Sequence, residues 1–145
     1  MNLFVLDASV AAKWFLPPHG EPLAAEAWEI LKLFQKDEIR FLVPDLFWAE
    51  LGNVLWKAVR QGRFASGAAE EALRTLRLLQ LPAISNATLV DTAFALACTH
   101  GRTVYDCIYL ALAVEARATL LTADEQFAHA LAARFPIKWL GAFPV

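Results

Sequence analysis

Several things that would place this chain quickly are scarce in it. There are two cysteines, Cys98 and Cys107, in 145 residues. Each stands alone in an apolar segment, with no Cys-x-x-Cys pair and no histidine at ligand spacing, so both read as buried reduced thiols rather than a zinc site or a disulfide. There is no surplus of basic charge: 13 Lys and Arg against 15 Asp and Glu leave a net charge of −2. A protein held on nucleic acid by bulk electrostatics carries the opposite balance. A polyanionic substrate would therefore need a local basic patch or bound cations. No apolar run approaches the ~18 residues of a spanning helix, and the stretch from Ile108 to Val114 is core-sized. Nothing before Asp7 resembles the basic start of a signal peptide. A soluble, cytoplasmic protein without membrane contact is expected. Linkers, repeats and low-complexity segments are also missing, and the length suits one domain over residues 1–145.

What is plentiful is apolar residues, 58% of the chain, with a mean hydropathy of +0.42. That is high for a lone soluble chain and points to surface covered by a second copy or a dedicated partner.

The pattern alternates short apolar runs with helical periodicity. Leu3 to Leu6 reads as a buried strand ended by Asp7, followed by a helix from Ala8 to Leu16 that stops at Pro17-Pro18-His19-Gly20. A second helix begins near Pro22, with Leu23, Ala24, Ala27, Trp28, Leu31 and Phe34 on one face. Phe41 to Val43 is a second strand, and Asp45 is the expected N-cap of a helix that runs to about Gly62 and carries Glu50. Ser66 is expected to cap the next helix, which ends before Pro82. A short strand follows at Ala83-Ile84, then a helix capped by Thr88 and closed by His100-Gly101. Thr103 opens a helix to Arg117, Thr119 to Leu121 is a strand, Asp124 to Arg134 a helix, and Ile137 to Leu140 a last strand. The expectation is a three-layer α/β/α domain with a short, mainly parallel sheet, whose ligands sit beyond the carboxyl ends of the strands.

Four carboxylates gather at that edge. Asp7 and Asp124 each lie just past a predicted strand, and Asp106 heads a helix three residues after Thr103. Capping alone would explain any one of these three. Glu50 is different. It lies mid-helix with apolar Leu46, Phe47 and Val54 three or four residues away, where a carboxylate is costly unless paired or metal-bound. Four converging carboxylates without matching basic residues repel one another, and a hard divalent cation such as Mg²⁺ or Mn²⁺ resolves that repulsion.

These residues carry a resemblance. Asp7-Ala8-Ser9 after a strand, Pro44 with Glu50 and Asn53, Tyr105-Asp106 with Tyr109-Leu110-Ala111-Leu112-Ala113, and Leu121-Thr122-Ala123-Asp124 with Phe127 come in the order and spacing of the PIN domain. From Leu3 to about Leu140 the chain resembles that family, in particular VapC-type toxins of prokaryotic toxin–antitoxin pairs. The resemblance implies a Mg²⁺- or Mn²⁺-dependent endoribonuclease with Asp7, Glu50, Asp106 and Asp124 as catalytic and metal-holding residues. It also implies Ser9, Asn53 and Thr122 as supporting polar groups, a homodimer, and a cognate small antitoxin.

For RNA contact, Lys13, Lys57, Arg60 and Arg63 are the available local cations, the last three also suiting the carboxyl end of their helix. Trp14, Trp48 and Trp56 could stack bases, but their helical spacing favours packing in a core or an interface. His19, His100 and His129 read as surface residues, so no histidine is placed as a general base. Two other readings stand beside this one. One is a phosphatase-like or receiver-like domain using Asp7 as nucleophile, against which the missing Asp-x-Asp and the unexplained Glu50 count. The other is a non-catalytic partner-binding module.

Overall fold

The structure is a computed structural model that describes residues 2–144. Five strands form one parallel sheet in the order β3-β2-β1-β4-β5, with β1 Asn2–Leu6, β2 Ile39–Pro44, β3 Ala83–Ile84, β4 Thr119–Thr122 and β5 Ile137–Trp139. β1 is central, pairing Phe4 with Phe41 on one side and Leu6 with Leu121 on the other. Its alternate residues serve two cores. Phe4 and Leu6 join Ile30, Phe41, Phe47 and Leu51, while Val5 joins Leu89, Leu110, Leu120 and Phe127. The helices sort accordingly. α1 Ala8–Ala11, α2 Ala24–Gln35, α3 Leu46–Arg60 and α4 Ser66–Leu78 cover the first face. α5 Asn86–His100, α6 Val104–Ala116 and α7 Glu125–Leu131 cover the second. The expected three-layer architecture is present, and every described strand pairing is parallel. Among the described residues no helix is long and apolar enough to cross a membrane.

Several local expectations change. The first helix is four residues, tightening into a 3₁₀ turn over Ala12–Trp14 before the proline cluster. Asp45 makes no side-chain cap; instead the Leu46 N–H donates to Asn86 Oδ1 at 3.1 Å, from forty residues away. Ser66 is the first residue of α4 and Ala65 its N-cap, without a side-chain bond. Ser85, not Thr88, caps α5: its Oγ accepts from the Ala87 N–H, and the Thr88 hydroxyl donates back to the Ser85 carbonyl. The seventh helix stops at Leu131, and the last strand gives way to a 3₁₀ turn at Leu140. Trp28 leaves the buried face of α2, where Ala27 and Ile30 point inward, and stands 43% exposed. Cys98 is exposed rather than buried; Cys107 is buried, and burial pushes its thiol up.

Because Asn86 stitches the start of α5 to the start of α3, Asn86→Ala should orphan the Leu46 N–H and lower stability by about 1 kcal/mol, as loss of a helix cap does. Thermal unfolding checks this, with Thr88→Ala as the milder comparison.

Candidate active site

The register that sets Leu6 against Leu121 places the next residues, Asp7 and Thr122, side by side at the carboxyl edge of the sheet. Asp7 does cap α1, Oδ1 accepting from the Ser9 N–H at 3.3 Å. It is more than a cap. The Thr122 hydroxyl donates to Asp7 Oδ2 at 2.8 Å, and Thr122 Oγ1 itself accepts from the Asp124 N–H at 3.1 Å. Ser9 Oγ accepts from the Ala123 N–H at 3.1 Å. The Thr122 hydroxyl and the Ser9 N–H thus hold the Asp7 carboxylate from both sides, while the Ser9 hydroxyl ties the start of α1 to the end of β4. Burial holds that carboxyl above its ordinary range, against the opposing bonds from Thr122 and Ser9.

Glu50 reaches the cluster from α3. Burial, then the charge of Asp7, then that of Asp106, push its carboxyl up to about 7. Its Oε1 is buried with no hydrogen-bond partner. Asp106, in the first turn of α6, is raised as well, by burial and then by the charge of Asp124. The Thr103 hydroxyl accepts from the Asp106 N–H at 3.1 Å, so this residue also sits at a capped helix start. Asp124 is exposed and caps α7 through the Phe127 N–H at 3.0 Å. Asp106 therefore joins the set, feeling Asp124 on one side and acting on Asp7 and Glu50 on the other.

Other expected residues fall differently. Asn53 is exposed on α3, three residues on from Glu50. Lys13 does not face a substrate: it is 8% exposed, and its ammonium is taken up by Glu21 Oε2 at 3.1 Å and the Pro22 carbonyl at 2.6 Å. A buried ammonium next to a proline-rich turn needs those partners, and they leave it unavailable. Lys57, Arg60 and Arg63 are exposed, Arg63 lying 4.0 Å from Glu21. Trp14 is buried, donating Nε1–H to the Ala27 carbonyl at 2.8 Å, and Trp48 packs edge-on to Phe47. Trp56 is 51% exposed, so core packing does not describe it.

Two neighbours of the cluster escaped the sequence reading. Tyr109 is buried, with its hydroxyl unpartnered beside Glu50, and burial drives its phenol well above the ordinary range. The signal was available, since Tyr109 lies one helical turn after Asp106 on the same side of α6. Arg102 is the second. Its charge opposes the rise of the Asp106 carboxyl, and its guanidinium lies 5.2 Å from the Phe127 ring centre. The acidic cluster is thus not wholly without basic company.

The arrangement suits a hard cation. All donors are oxygens, their charges destabilise one another, and Glu50 Oε1 has no proton donor of its own. Among the described residues no three His, Cys, Asp or Glu side chains form a ready-made cage.

Known proteins resemble this chain in sequence and in fold. The chain matches the sequence model of the family described as PIN domain over residues 4–131. It is 38% identical over 136 residues to a protein named Ribonuclease VapC3 from Pyrobaculum aerophilum, covering 91% of this chain and 94% of that one. The crystal structure of PAE2754, also from Pyrobaculum aerophilum, superposes with a TM-score of 0.68 at 25% identity, covering 94% of this chain and 83% of that one. The fold also recurs at 15% identity and TM-score 0.62 in VapBC2 from Rickettsia felis bound to a DNA fragment from their promoter. That similarity covers 94% of this chain and 97% of that one.

Proposed function

This chain belongs to the PIN-domain family, and from that premise we propose that it is a divalent-metal-dependent endoribonuclease, the toxin of a VapBC-type pair, working as one nuclease domain over residues 1–145 with Mg²⁺ or Mn²⁺. The observation that carries this reading is the orphaned Glu50 Oε1, set among carboxylates that raise one another. Asp7, Glu50, Asp106 and Asp124 would hold the ion, directly or through water. When bound, it supplies positive charge at the scissile phosphate and acidifies water at the site.

The protein's own groups do the rest. Thr122 and Ser9 fix the Asp7 carboxylate, so its orientation is set before substrate arrives. Glu50, its carboxyl pushed up to about 7, would take the proton from the attacking water. The neighbouring Tyr109 hydroxyl has no other partner, and on metal binding it would donate to the Glu50 carboxyl and close that flank to bulk water. A cognate small antitoxin and a second copy of the chain are the protein partners in this reading, and the cytoplasm its location. Val90 and Phe94 on α5 offer exposed apolar surface for contact.

The test is cleavage of a single-stranded RNA by the purified protein. Breakage is expected with Mg²⁺ or Mn²⁺ and none with EDTA. Titration calorimetry should show Mn²⁺ binding that disappears in Glu50→Gln. Absence of both would leave a partner-binding module. Tyr109→Phe should weaken Mn²⁺ binding about tenfold, the effect of removing an outer support from a metal ligand. An unchanged Mn²⁺ affinity would reduce Tyr109 to core packing.

A further inference from the structure

Helix α3 continues past Glu50 with a stretch free of acidic side chains. From Leu51 to Ala69 the sequence holds Lys57, Arg60 and Arg63 and no Asp or Glu, in a chain whose net charge is −2. At 3.6 residues per turn, Asn53, Trp56, Lys57 and Arg60 form one stripe, with Lys57 about 20° and Trp56 about 120° round the helix from Glu50. All four are exposed. Trp56 is the large apolar member of this stripe at 51% exposure, and the Arg60 guanidinium lies 5.4 Å from its ring centre. One face of the indole is thereby backed by a cation while much of the ring stays open. Neither Lys57 nor Arg60 forms an ion pair among the described residues.

Resting on the ribonuclease reading, we propose that Trp56, backed by Arg60 and flanked by Lys57, is a stacking site for an unpaired nucleobase of the RNA, next to the scissile phosphate. The six residues from Glu50 to Trp56 rise about 9 Å along the helix, within reach of nucleotides flanking the cleaved bond. An open indole takes any base by its π-face, and a guanidinium on the opposite face deepens the attraction. The lysine and arginine meet the phosphates that the chain as a whole would repel. Bases of a duplex are closed to such a platform, so the substrate strand is single here. The exposed apolar residues of α5, Val90 and Phe94, have Asp91 among them and no cation on their helix before His100, which is the chemistry of a protein contact instead.

Anisotropy of a labelled single-stranded RNA, in the cleavage-silent Asp7→Asn background with Mg²⁺, tests this. Adding Trp56→Ala should weaken binding about tenfold, and Trp56→Phe, which keeps a ring, by threefold or less. An abasic residue scanned along the RNA should cost the Trp56 protein about tenfold at one position and cost the Trp56→Ala protein nothing further there. Equal RNA affinity for Trp56 and Trp56→Ala would overturn the proposal, as would an abasic penalty that persists without the indole. So would a loss of binding that follows dissociation of a dimer in sedimentation velocity, since Trp56 would then be an interface residue. Wild-type cleavage with unchanged Trp56→Ala binding defeats this site alone, whereas failure of the wild-type chain to cleave defeats the ribonuclease reading.

Discussion

Asp7→Asn should lower metal-dependent RNA cleavage on the order of a thousandfold while leaving the fold intact. The loss follows from the contribution of a bound cation at a phosphodiester, several kcal/mol, each 1.36 kcal/mol being tenfold in rate. The fold should survive because Asp7 is a charge held in a place that disfavours charge. An amide keeps one oxygen to accept from Thr122 or the Ser9 N–H, and it removes the repulsion with Asp106. Asp106→Asn should match it, because Asp106 acts on both Asp7 and Glu50. Asp124→Asn should cost less, its carboxylate being exposed and already bonded to the Phe127 N–H. Rates on one RNA with circular dichroism alongside provide the check. Dependence on Asp7 alone, with acyl-phosphate labelling of that residue, would instead support the aspartate-nucleophile reading.

Glu50→Gln should abolish cleavage and yet stabilise the metal-free protein at pH 8. Between pH 4.5, the ordinary glutamate value, and about 7, the folded protein keeps a proton on Glu50 that the unfolded chain has released. Stability must therefore fall as pH rises through that window. After discounting for the partial exposure of the side chain, the fall attributable to Glu50 is on the order of 1–2 kcal/mol. In thermal melts without metal, Glu50→Gln should flatten that part of the slope and converge with wild type below pH 4.5. Asp7 and Asp106 are raised too, so some slope remains. Saturating Mg²⁺ or Mn²⁺ should reverse the wild-type trend, since an ion that binds only the folded state stabilises it. A variant less stable than wild type at pH 8 as well as pH 5 would show that the Glu50 carboxylate is structural.

Much of this was legible in the sequence because it was written locally. Short apolar runs ending in Asp7 and just before Asp124 announced parallel strands with carboxylates at one edge, and the apolar neighbours of Glu50 announced an awkward charge. What escaped depends on partners far along the chain. Asp45 looks like a cap until Asn86, forty residues on, supplies the oxygen instead. Lys13 looks like a surface cation until the turn after the prolines brings Glu21 back onto it. Trp28 follows the helical period of its neighbours, yet Ala27 and Ile30 take the buried side of α2 and the indole is left 43% exposed. Tyr109 was visible as a motif letter and invisible as a neighbour of Glu50, because they lie on helices covering opposite faces of the sheet.

The hydrogen bond from Thr122 to Asp7 spans 115 positions, and that span bears on synthesis at the ribosome. β1 and β2 can pair once residue 44 has emerged, but the strand carrying Thr122 opens only at residue 119. At about 5–20 residues per second, that interval lasts roughly 4–15 s. Throughout it the Asp7 carboxylate lacks the hydroxyl that orients it, and Asp106 and Asp124 come late as well. The oriented Asp7 carboxylate is thus a property of the assembled sheet and not of the N-terminal half that carries it.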